Sequence, residues 1–427
     1  MKHYMCTMTT KSEYNSDELN PPEWLNADFF KTALKAFKKS DSVVVKNLIL
    51  KPGTKPGEHY ASVMFRAEVT YTLNHCKETP STIQLILKTM PTEEGAKMEL
   101  LKETTAFKTE MRMYKEILPE MQQILAQIND NTIIAPTLVY QSNFPAPVIV
   151  FIDESPNGFV SYTEPLNLEQ IQVVIERIAK FHACSVYMNE NGFYMTTFND
   201  CPYQIVEGRS DFLEDLFMPS IRKGVQAICT WKDCEIIGSI LAKNLEVFPN
   251  QIRDLFLNTK KRMYSVLSHG DFHFKNMMYR NSGLKSEDYL LIDFQFCQWN
   301  TPANDIFFLL NSISDHDVRA NHRQFVIQSY FQIFRSTLEK LGYKGPILRL
   351  LDLQMELLRC ELIEYMYYII FVPFQYVDWA NVDVNAMMET KDFHTTTKSA
   401  WTSPDFQNNF IKFVTHLIEI GVFEDKS

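Results

Sequence analysis

The sequence predicts an α+β fold with two lobes, a small β-rich N-lobe and a larger, mainly helical C-lobe. Two observations support this fold class. Three strand-like runs occur between residues 43 and 88, and the turn between the first two contains two Pro-Gly pairs. Beyond residue 167, apolar residues recur mainly at the spacing of a helix. A chain of 427 residues is long enough for each lobe to bury a core.

The predicted boundaries follow from these patterns. Residues 1–40 are expected to be a tail and a leading helix, because apolar side chains recur at helical spacing from Glu23 to Lys38. Residues 41–152 form the predicted N-lobe, and residues 153–427 form the predicted C-lobe.

The N-lobe is predicted to contain a sheet and one helix. Its strands are expected at Val43–Leu50, Val63–Leu73, Thr82–Lys88 and Val148–Ile152. The helix is expected from about Ala96 to Leu118 and should end at Pro119, since proline lacks the N–H that an α-helix needs. The last strand leads into the loop DESPNGF, which is the candidate hinge between the lobes.

The C-lobe is predicted to be helical apart from one β-hairpin. The hairpin is expected over Asn276–Phe294, where two apolar runs flank a polar turn. The predicted helices are Leu168–Tyr187, Ile236–Val247, Arg323–Leu341, Pro346–Tyr368 and Phe406–Ile420.

Composition excludes several other classes of protein. The net charge of −10 and the absence of a dense Lys/Arg stripe argue against a nucleic-acid surface and against a polybasic membrane anchor. The eight cysteines are scattered and form no C-x-x-C pair, which favours reduced thiols. The polar N-terminus has no apolar core of a signal peptide. We therefore expect a cytoplasmic protein, most simply a monomer, that acts on a small molecule.

The stretch from Ser268 to Asp305 contains the main chemical motif. It has His269-Gly-Asp271, then Asn276, then Asp293-Phe-Gln at the end of an apolar run. A kinase catalytic loop has the order H-R-D-x-x-x-x-N, followed after a hairpin by D-F-G. Here Gly270 replaces the arginine and Gln295 replaces the glycine, but the Asp-to-Asn spacing is kept. The segment 268–276 is therefore the predicted catalytic loop, and 293–295 is the predicted metal-binding segment.

Phosphoryl transfer assigns a role to each of these side chains. Asp271 is the predicted catalytic residue, as the base or orienting group for an acceptor hydroxyl. Asn276 and Asp293 supply the hard oxygen ligands that Mg²⁺ prefers. His269 is expected to hydrogen-bond within the loop and to hold its shape. Asp305 opens an apolar helix and is expected to be its N-cap, to brace the catalytic loop, or to do both.

The nucleotide side of the predicted site lies in the N-lobe. Lys88 at a strand end would neutralise the α- and β-phosphates, and Glu110 on the following helix would hold it, with Glu103 as the alternative partner. There is no G-x-G-x-x-G loop. Small residues in the stretch Tyr60-Ala61-Ser62 could let backbone N–H groups approach phosphate.

The set His269-Gly-Asp271, Asn276 and Asp293-Phe-Gln resembles the ecdysteroid kinase-like family, which is related to choline kinases and aminoglycoside phosphotransferases. Further pieces of the resemblance are HYASVMFR at 59–66, the LILK strand, FKTEMRMYKEILP at 107–119, SPNGF at 155–159 and IAKFHACS at 178–185. It spans roughly residues 40–375.

The resemblance implies a two-lobed, protein-kinase-like fold that uses ATP and Mg²⁺ to phosphorylate a hydroxyl of a small molecule, such as an ecdysteroid or a xenobiotic. By position it implies Asp271 as catalytic aspartate, Asn276 and Asp293 as metal ligands, and Lys88 with Glu110 as the phosphate-side pair. Asp153 lies where the family's hinge would contact the nucleotide. The sequence departs from the family in this hinge and in Phe272-His-Phe of the catalytic loop.

The acceptor is less closely defined by the sequence. Aromatic residues at 365–376, with Phe307, Phe308 and Trp299, suit an apolar pocket for a steroid or another lipophilic alcohol. Trp379 and Asp378 could instead help to bind a choline-like cation. The alternatives are a catalytically silent binding protein on the same fold and a choline- or aminoglycoside-type kinase. A protein kinase is disfavoured, because no A-P-E segment follows Asp293.

Overall fold

The computed structural model describes residues 19–53, 62–73, 79–91, 105–162, 164–280, 289–378, 382 and 393–424. The chain divides into two compact units. The first comprises residues 1–101, 139–153 and 378–392, and the second comprises residues 102–138, 154–377 and 393–427. The first is β-rich and the second is mainly helical, so the predicted α+β class is confirmed. The predicted lobe boundaries at residues 40/41 and 152/153 stay a prediction.

The first unit is built on a five-stranded sheet with the strand order β1-β2-β3-β5-β4. Neighbouring strands from β1 to β5 pair in the antiparallel sense. Side chains on β2 alternate between buried and half-buried, as expected for a sheet with one face on a core. The elements of this unit are helix α1 (Ala27–Lys38) and strands β1 (Val44–Pro52), β2 (Val63–Thr72), β3 (Ser81–Thr89), β4 (Leu138–Ser142) and β5 (Val148–Ile152).

Helix α1 covers part of this sheet. The Asn26 side chain caps the helix by accepting hydrogen bonds from the N–H groups of Asp28 and Phe29. Its buried residues include Phe30 and Leu34, which join the core formed by the sheet. The predicted leading helix is therefore present, but it begins at Ala27 and not at Glu23.

The second unit is organised around a long buried helix, α4 (Leu168–Glu190), which packs against α10 (Arg323–Lys340). A capping box between Asn167 and Gln170 fixes the start of α4. The other helices are α2 (Ala106–Arg112), α3 (Leu118–Gln127), α5 (Met218–Ile228), α6 (Glu235–Asn244), α7 (Phe248–Leu257), α8 (Ala303–Phe308), α9 (His316–Asn321), α11 (Leu350–Arg359), α12 (Glu361–Phe371), α13 (Phe393–Thr396), α14 (Lys398–Thr402) and α15 (Pro404–Glu419).

Two small antiparallel sheets in the second unit frame the catalytic loop. One pairs β7 with β10, and the other has the order β6-β8-β9. Their strands are β6 (Phe159–Ser161), β7 (Val266–Ser268), β8 (Met277–Arg280), β9 (Tyr289–Leu291) and β10 (Gln298–Asn300). The predicted hairpin is thus observed as β8 and β9, and its turn at 281–288 lies outside the described residues. The loop 269–276 runs from β7 into β8.

Two helix predictions were wrong. The helix that was expected to end at Pro119 continues to Gln127 through a π-helical turn, Met113–Ile117. The N–H of Leu118 bonds to the carbonyl of Met113, five residues back, and this wider turn accommodates the proline ring. The single helix predicted over Pro346–Tyr368 is two helices, because the backbone leaves helical geometry at Cys360.

Two further properties bear on the expected environment of the protein. Within the described ranges, no helix is both long and apolar enough to cross a membrane. The described cysteines, which are Cys184, Cys201, Cys229, Cys234, Cys297 and Cys360, are all free thiols.

Candidate active site

The catalytic loop begins with a close approach between two backbone segments. Gly270 has a φ of 81°, in the left-handed region that disfavours residues with a side chain. A Cβ atom at this position would lie 2.1 Å from the carbonyl oxygen of Phe296. Glycine therefore replaces the arginine of protein kinases at a position where the backbone of 294–296 leaves no room for a side chain.

The buried carboxylate of Asp305 accepts hydrogen bonds from the beginning of the catalytic loop. It accepts hydrogen bonds from the backbone N–H groups of His269 at 2.6 Å and Gly270 at 3.1 Å. It also accepts from the Ser268 hydroxyl at 2.9 Å. These donors are buried in the protein and would be costly to leave without an acceptor. Asp305 thus fixes the backbone immediately before Asp271.

The prediction that Asp305 is a helix N-cap was wrong. Helix α8 begins at Ala303, with Pro302 at the cap position, so Asp305 lies within the first turn. Its carboxylate accepts hydrogen bonds from N–H groups of the catalytic loop and not from those of its own helix. A carboxylate in the first turn still has a favourable interaction with the helix dipole.

His182 on α4 is a partner of Asp305 that the sequence did not reveal. Its Nε2 lies 2.8 Å from Oδ2 of Asp305, and its Nδ1 lies 2.8 Å from the Tyr330 hydroxyl. An ionised carboxylate can only accept, so Nε2 of His182 carries the proton. The only signal in the sequence was a histidine within the apolar run IAKFHACS, which is also compatible with an ordinary core residue.

Asp305 is held in its ionised form by this network. Burial on its own raises the pKa of the carboxyl. The hydrogen bond from His182, the nearby charges of His182 and His269, and the hydrogen bond from the His269 backbone outweigh burial, so the pKa lies below its usual value. A buried, ionised acceptor of four hydrogen bonds is a rigid support for the loop.

Asp271 is oriented by Asn276. The Nδ2 group of Asn276 donates to the backbone carbonyl of Asp271 at 2.9 Å and to its Oδ2 at 3.1 Å. The short helical turn Phe274–Asn276 brings the amide back onto the aspartate. On the other side, Nε2 of His273 lies 3.6 Å from Oδ1 of Asp271. The side chain of Asp271 remains 24% exposed, so a ligand can reach the carboxylate.

Asp293 is tied to the same loop through its neighbour Ile292. The Ile292 N–H donates to the carbonyl of Asn276 at 3.0 Å, and the Ile292 carbonyl lies 3.1 Å from Nε2 of His269. Asp293 itself has a φ of 66°, an uncommon conformation for a non-glycine residue that occurs often at functional sites. The hydrogen bonds of Ile292 therefore keep Asp293 close to the loop that carries Asp271.

His269 lies among three carboxylates. Burial lowers the pKa of His269, whereas the charges of Asp305, Asp271 and Asp293 act in the opposite direction without overcoming it. Phe272, one of the loop residues that depart from the family, is fully buried.

Asn276 and Asp293 fit the requirements of Mg²⁺. Because Nδ2 of Asn276 is committed to Asp271, its Oδ1 is left as an acceptor, and no described residue donates to it. Within the described part of the chain, no three His, Cys, Asp or Glu side chains form a complete metal cluster. In phosphotransferases, Mg²⁺ is commonly bound by two protein oxygens, and phosphate and water occupy its remaining positions.

Glu110 also lies in the second unit. It is buried on α2, and its charge and that of Asp293 both add to the effect of burial in raising the pKa of Tyr114. The alternative, Glu103, lies outside the described residues. The pairing of Glu110 with Lys88 stays a prediction.

The remaining predicted residues belong to the first unit. Lys88 is buried on β3, between Met64 of β2 and Ile149 of β5. Ser62 is buried immediately before β2, whereas Tyr60 and Ala61 lie outside the described residues.

Asp153 follows β5 and also belongs to the first unit. Its backbone N–H donates to the carbonyl of Gln84, and its carboxylate accepts a hydrogen bond from the Arg66 guanidinium. No local sequence pattern predicts this ion pair. Arg66 also donates to the carbonyl of Gly53 at 3.0 Å, so it connects two loops of the sheet.

Comparison with solved structures returns small-molecule kinases. A choline/ethanolamine kinase family protein from Mesorhizobium loti is 11% identical, with 91% of this chain and 99% of that chain covered and a TM-score of 0.33. The choline kinase LicA from Streptococcus pneumoniae is 11% identical over 87% of this chain and 98% of that chain, with a TM-score of 0.31. A putative aminoglycoside phosphotransferase from Ralstonia eutropha is 10% identical over 90% and 97%, with a TM-score of 0.39.

Comparison at the level of sequence identifies the family of the chain. No curated protein sequence gives a significant match. The model of the ecdysteroid kinase-like family matches residues 56–343, a range that contains the catalytic loop, the hairpin and Asp305. The match covers more than half of the chain and agrees with the resemblance in the motif. The chain therefore belongs to the ecdysteroid kinase-like family and is a phosphotransferase that acts on an alcohol group of a small molecule.

Proposed function

We propose that the protein transfers the γ-phosphate of ATP to a hydroxyl of a steroid or of a lipophilic xenobiotic. The observation that carries the proposal is the geometry of Asp271. Its carboxylate is accessible, is oriented by the amide of Asn276, and extends from a backbone that Asp305 holds in place. This arrangement suits a group that must align one hydroxyl with a phosphate.

The proposed step needs only positioning and proton transfer from the protein. The acceptor oxygen attacks the γ-phosphorus while the bond from that phosphorus to the β–γ bridging oxygen breaks, so that ADP leaves. The acceptor proton passes to Asp271. Asn276 Oδ1 and Asp293 would hold Mg²⁺, which when bound supplies positive charge to the phosphates.

On the nucleotide side we propose Lys88, supported by Glu110, as the partner of the α- and β-phosphates. The backbone of Tyr60-Ala61-Ser62 would cover the phosphates, and Asp153 would contact the nucleotide base. Lys88 and Glu110 are both buried, as the polar groups of an enclosed ligand site usually are, and this supports the first assignment. The Arg66–Asp153 ion pair gives Asp153 a structural role as well.

Most of the aromatic residues that suggested an apolar acceptor pocket in the sequence do not line one. Phe307, Phe308 and most of the aromatic side chains of α12 are buried, so they serve as core. Trp299 is half-buried. Asp378 belongs to the first unit, and Trp379 lies outside the described residues, so the choline-type alternative has no support from them. We further propose a monomer in a reducing, cytoplasmic environment, which the free thiols suit.

A phosphorylation screen tests this function. Purified protein is incubated with ATP, Mg²⁺ and a library of steroids, xenobiotic alcohols, choline and aminoglycosides, and products that have gained a phosphoryl group are detected by mass spectrometry. We expect phosphorylated steroids or xenobiotics with the wild type and with the control Asp317→Ala, and none with Asp271→Ala. Stabilisation by ATP and Mg²⁺ without any product would favour a silent binding protein, and absence of both would reject the proposal.

A further inference from the structure

Three aromatic residues, Tyr203, Phe212 and Phe296, form a continuous surface that we call the aromatic wall. The ring centroids of Phe212 and Phe296 are 6.1 Å apart, and those of Phe212 and Tyr203 are also 6.1 Å apart. Phe212 and Phe296 are half-buried, whereas Tyr203 is buried. The wall is therefore an apolar surface that a ligand can contact.

One end of the wall lies next to Asp271. At this end, a Cβ atom on Gly270 would be 3.3 Å from Cβ of Phe296, so Phe296 abuts the residue before the aspartate. The contacts thus run from Gly270, the residue before Asp271, through Phe296 and Phe212 to Tyr203.

The wall is supported from behind by further aromatic packing. The ring of Tyr203 lies 4.6 Å from that of Phe256, and the ring of Phe212 lies 5.4 Å from that of Phe217. Phe256 and Phe217 are buried. Rigid support of this kind keeps the accessible rings in place, so a ligand need not pay the entropy of ordering them.

The carboxylates that flank Phe212 are neutralised. Asp211 is paired with Arg253 at 2.5 Å, and Glu214 is paired with Arg222 at 2.6 Å. Recognition of a quaternary ammonium or a polyamine needs aromatic faces together with negative charge. At the wall the aromatic faces are present, but apart from Asp271, to which we assign the acceptor hydroxyl, the acids that flank Phe212 are paired with arginines.

We propose that Phe212 and Phe296 contact the carbon skeleton of the acceptor and select an uncharged alcohol with an extended apolar face. This inference rests on the proposed function, because it assumes that the acceptor hydroxyl lies beside Asp271. Tyr203 is a positioning residue that keeps Phe212 against the site. The apolar wall then explains the choice of acceptor, while Asp271 acts on the hydroxyl.

Steady-state kinetics with four acceptor probes test the inference. Ecdysone and 1-octanol are the uncharged probes, and choline and kanamycin are the cationic ones. We expect the wild type to prefer an uncharged probe. Phe212→Ala and Phe296→Ala should each raise the KM for that probe about 10-fold, with kcat and the KM for ATP changing less than about threefold. Phe212→Leu should keep most of the affinity, because it retains apolar contact.

The matched control is Phe325→Ala on α10, a phenylalanine that is 41% exposed and is not part of the wall. It should leave every kinetic constant unchanged. The inference is overturned if choline or kanamycin is the preferred acceptor, or if both wall variants keep the wild-type KM for the best acceptor. A wild-type protein that phosphorylates no alcohol fails earlier, because that result rejects the proposed function itself.

Discussion

At the scale of single residues, the site depends on a few buried polar groups with defined partners. Asp305 accepts from Ser268, His269, Gly270 and His182, and so links two helices to the catalytic loop. A second link runs from Ser268 to Asn304 at 2.8 Å and from Asn304 to the Tyr367 hydroxyl at 2.5 Å. The loop that carries Asp271 is thus held in place by buried residues outside it.

Asp305→Asn should lower the free energy of unfolding by about 3 kcal/mol, because a neutral amide cannot accept all four hydrogen bonds and directs its own N–H groups at donors. Equilibrium unfolding in urea measures this change. Asp317 provides the control: it is 62% exposed, lies 3.4 Å from His322 and accepts a hydrogen bond from Asn321, and Asp317→Asn should stay within about 0.5 kcal/mol. Equal effects of both substitutions would contradict the role given to Asp305.

Gly270→Ala should be more damaging than the same change at Gly192. Both glycines have positive φ, 81° and 93°, but only at Gly270 would the new Cβ collide with another backbone, since nothing lies within 4 Å at Gly192. The left-handed conformation alone costs about 1–2 kcal/mol. Gly192→Ala should show that loss, and Gly270→Ala at least about 3 kcal/mol. If urea unfolding gives the same loss for both, the close approach to Phe296 is not significant.

At the scale of secondary structure, the sequence predicted which elements exist better than where they end. The strand Val148–Ile152 was predicted with its observed bounds, because a short apolar run between turn residues has few alternatives. Proline at position 119 suggested a helix end, yet tertiary packing retains the helix through a π-turn. Likewise the apolar pattern continues across Cys360, so the break between α11 and α12 left no trace in it.

For the candidate active site, too, the sequence predicted some features and not others. The order of His269, Asp271, Asn276 and Asp293 can be seen in the sequence because its spacing is local. His182 and Arg66 could not be identified from it, since their partners Asp305 and Asp153 are 123 and 87 residues away. Contacts over such distances depend on how the helices and strands pack, and no local pattern encodes them.

Helices α10 and α12 share a charge cluster that should respond to pH. Arg323 forms two hydrogen bonds with the Glu364 carboxylate but only a longer one, 3.3 Å, with Glu361. Burial and the Glu364 charge therefore raise the pKa of Glu361 to about 9, despite Arg323. Because the pKa is higher in the folded state than in the unfolded state, where it is about 4.3, stability contributed by this carboxyl is lost as pH rises from about 4.3 to 9.

Glu361→Gln should remove this pH dependence. Relative to the wild type, the variant should gain stability between pH 6 and pH 9, because glutamine has no proton to lose. Urea unfolding of both proteins at the two pH values gives the difference. A difference that is the same at pH 6 and pH 9 would show that Glu361 titrates normally in the folded protein.

At the scale of the whole molecule, the two units carry different parts of the proposed chemistry. Lys88, Ser62 and Asp153 belong to the first unit, and Asp271 and Asp293 belong to the second. Nucleotide binding and chemistry at the acceptor should therefore be separable by substitution. The family match begins in the first unit and ends in the second, so the family model includes parts of both units.

Lys88→Ala should weaken nucleotide binding and leave the fold intact. With ATP and Mg²⁺ at about 100 times the dissociation constant, the wild type should gain about 2.7 kcal/mol of stability. The variant should gain much less, because it lacks the charge that would neutralise the phosphates. Thermal unfolding with and without nucleotide measures the gain in stability for the wild type and for the variant. Lys51→Ala, at an exposed position on β1, is the control. An unchanged nucleotide effect in Lys88→Ala would exclude Lys88 from the site.

The central claim is that Asp271 acts on the acceptor hydroxyl and does not bind the nucleotide. The most direct measurement is kcat for phosphate transfer by Asp271→Asn, together with the dissociation constant of Mg²⁺–ATP from the same preparation. We predict that kcat falls about 10³-fold while the dissociation constant changes less than about threefold. A variant that keeps kcat within about tenfold of the wild type, or that loses ATP binding along with activity, would contradict the account.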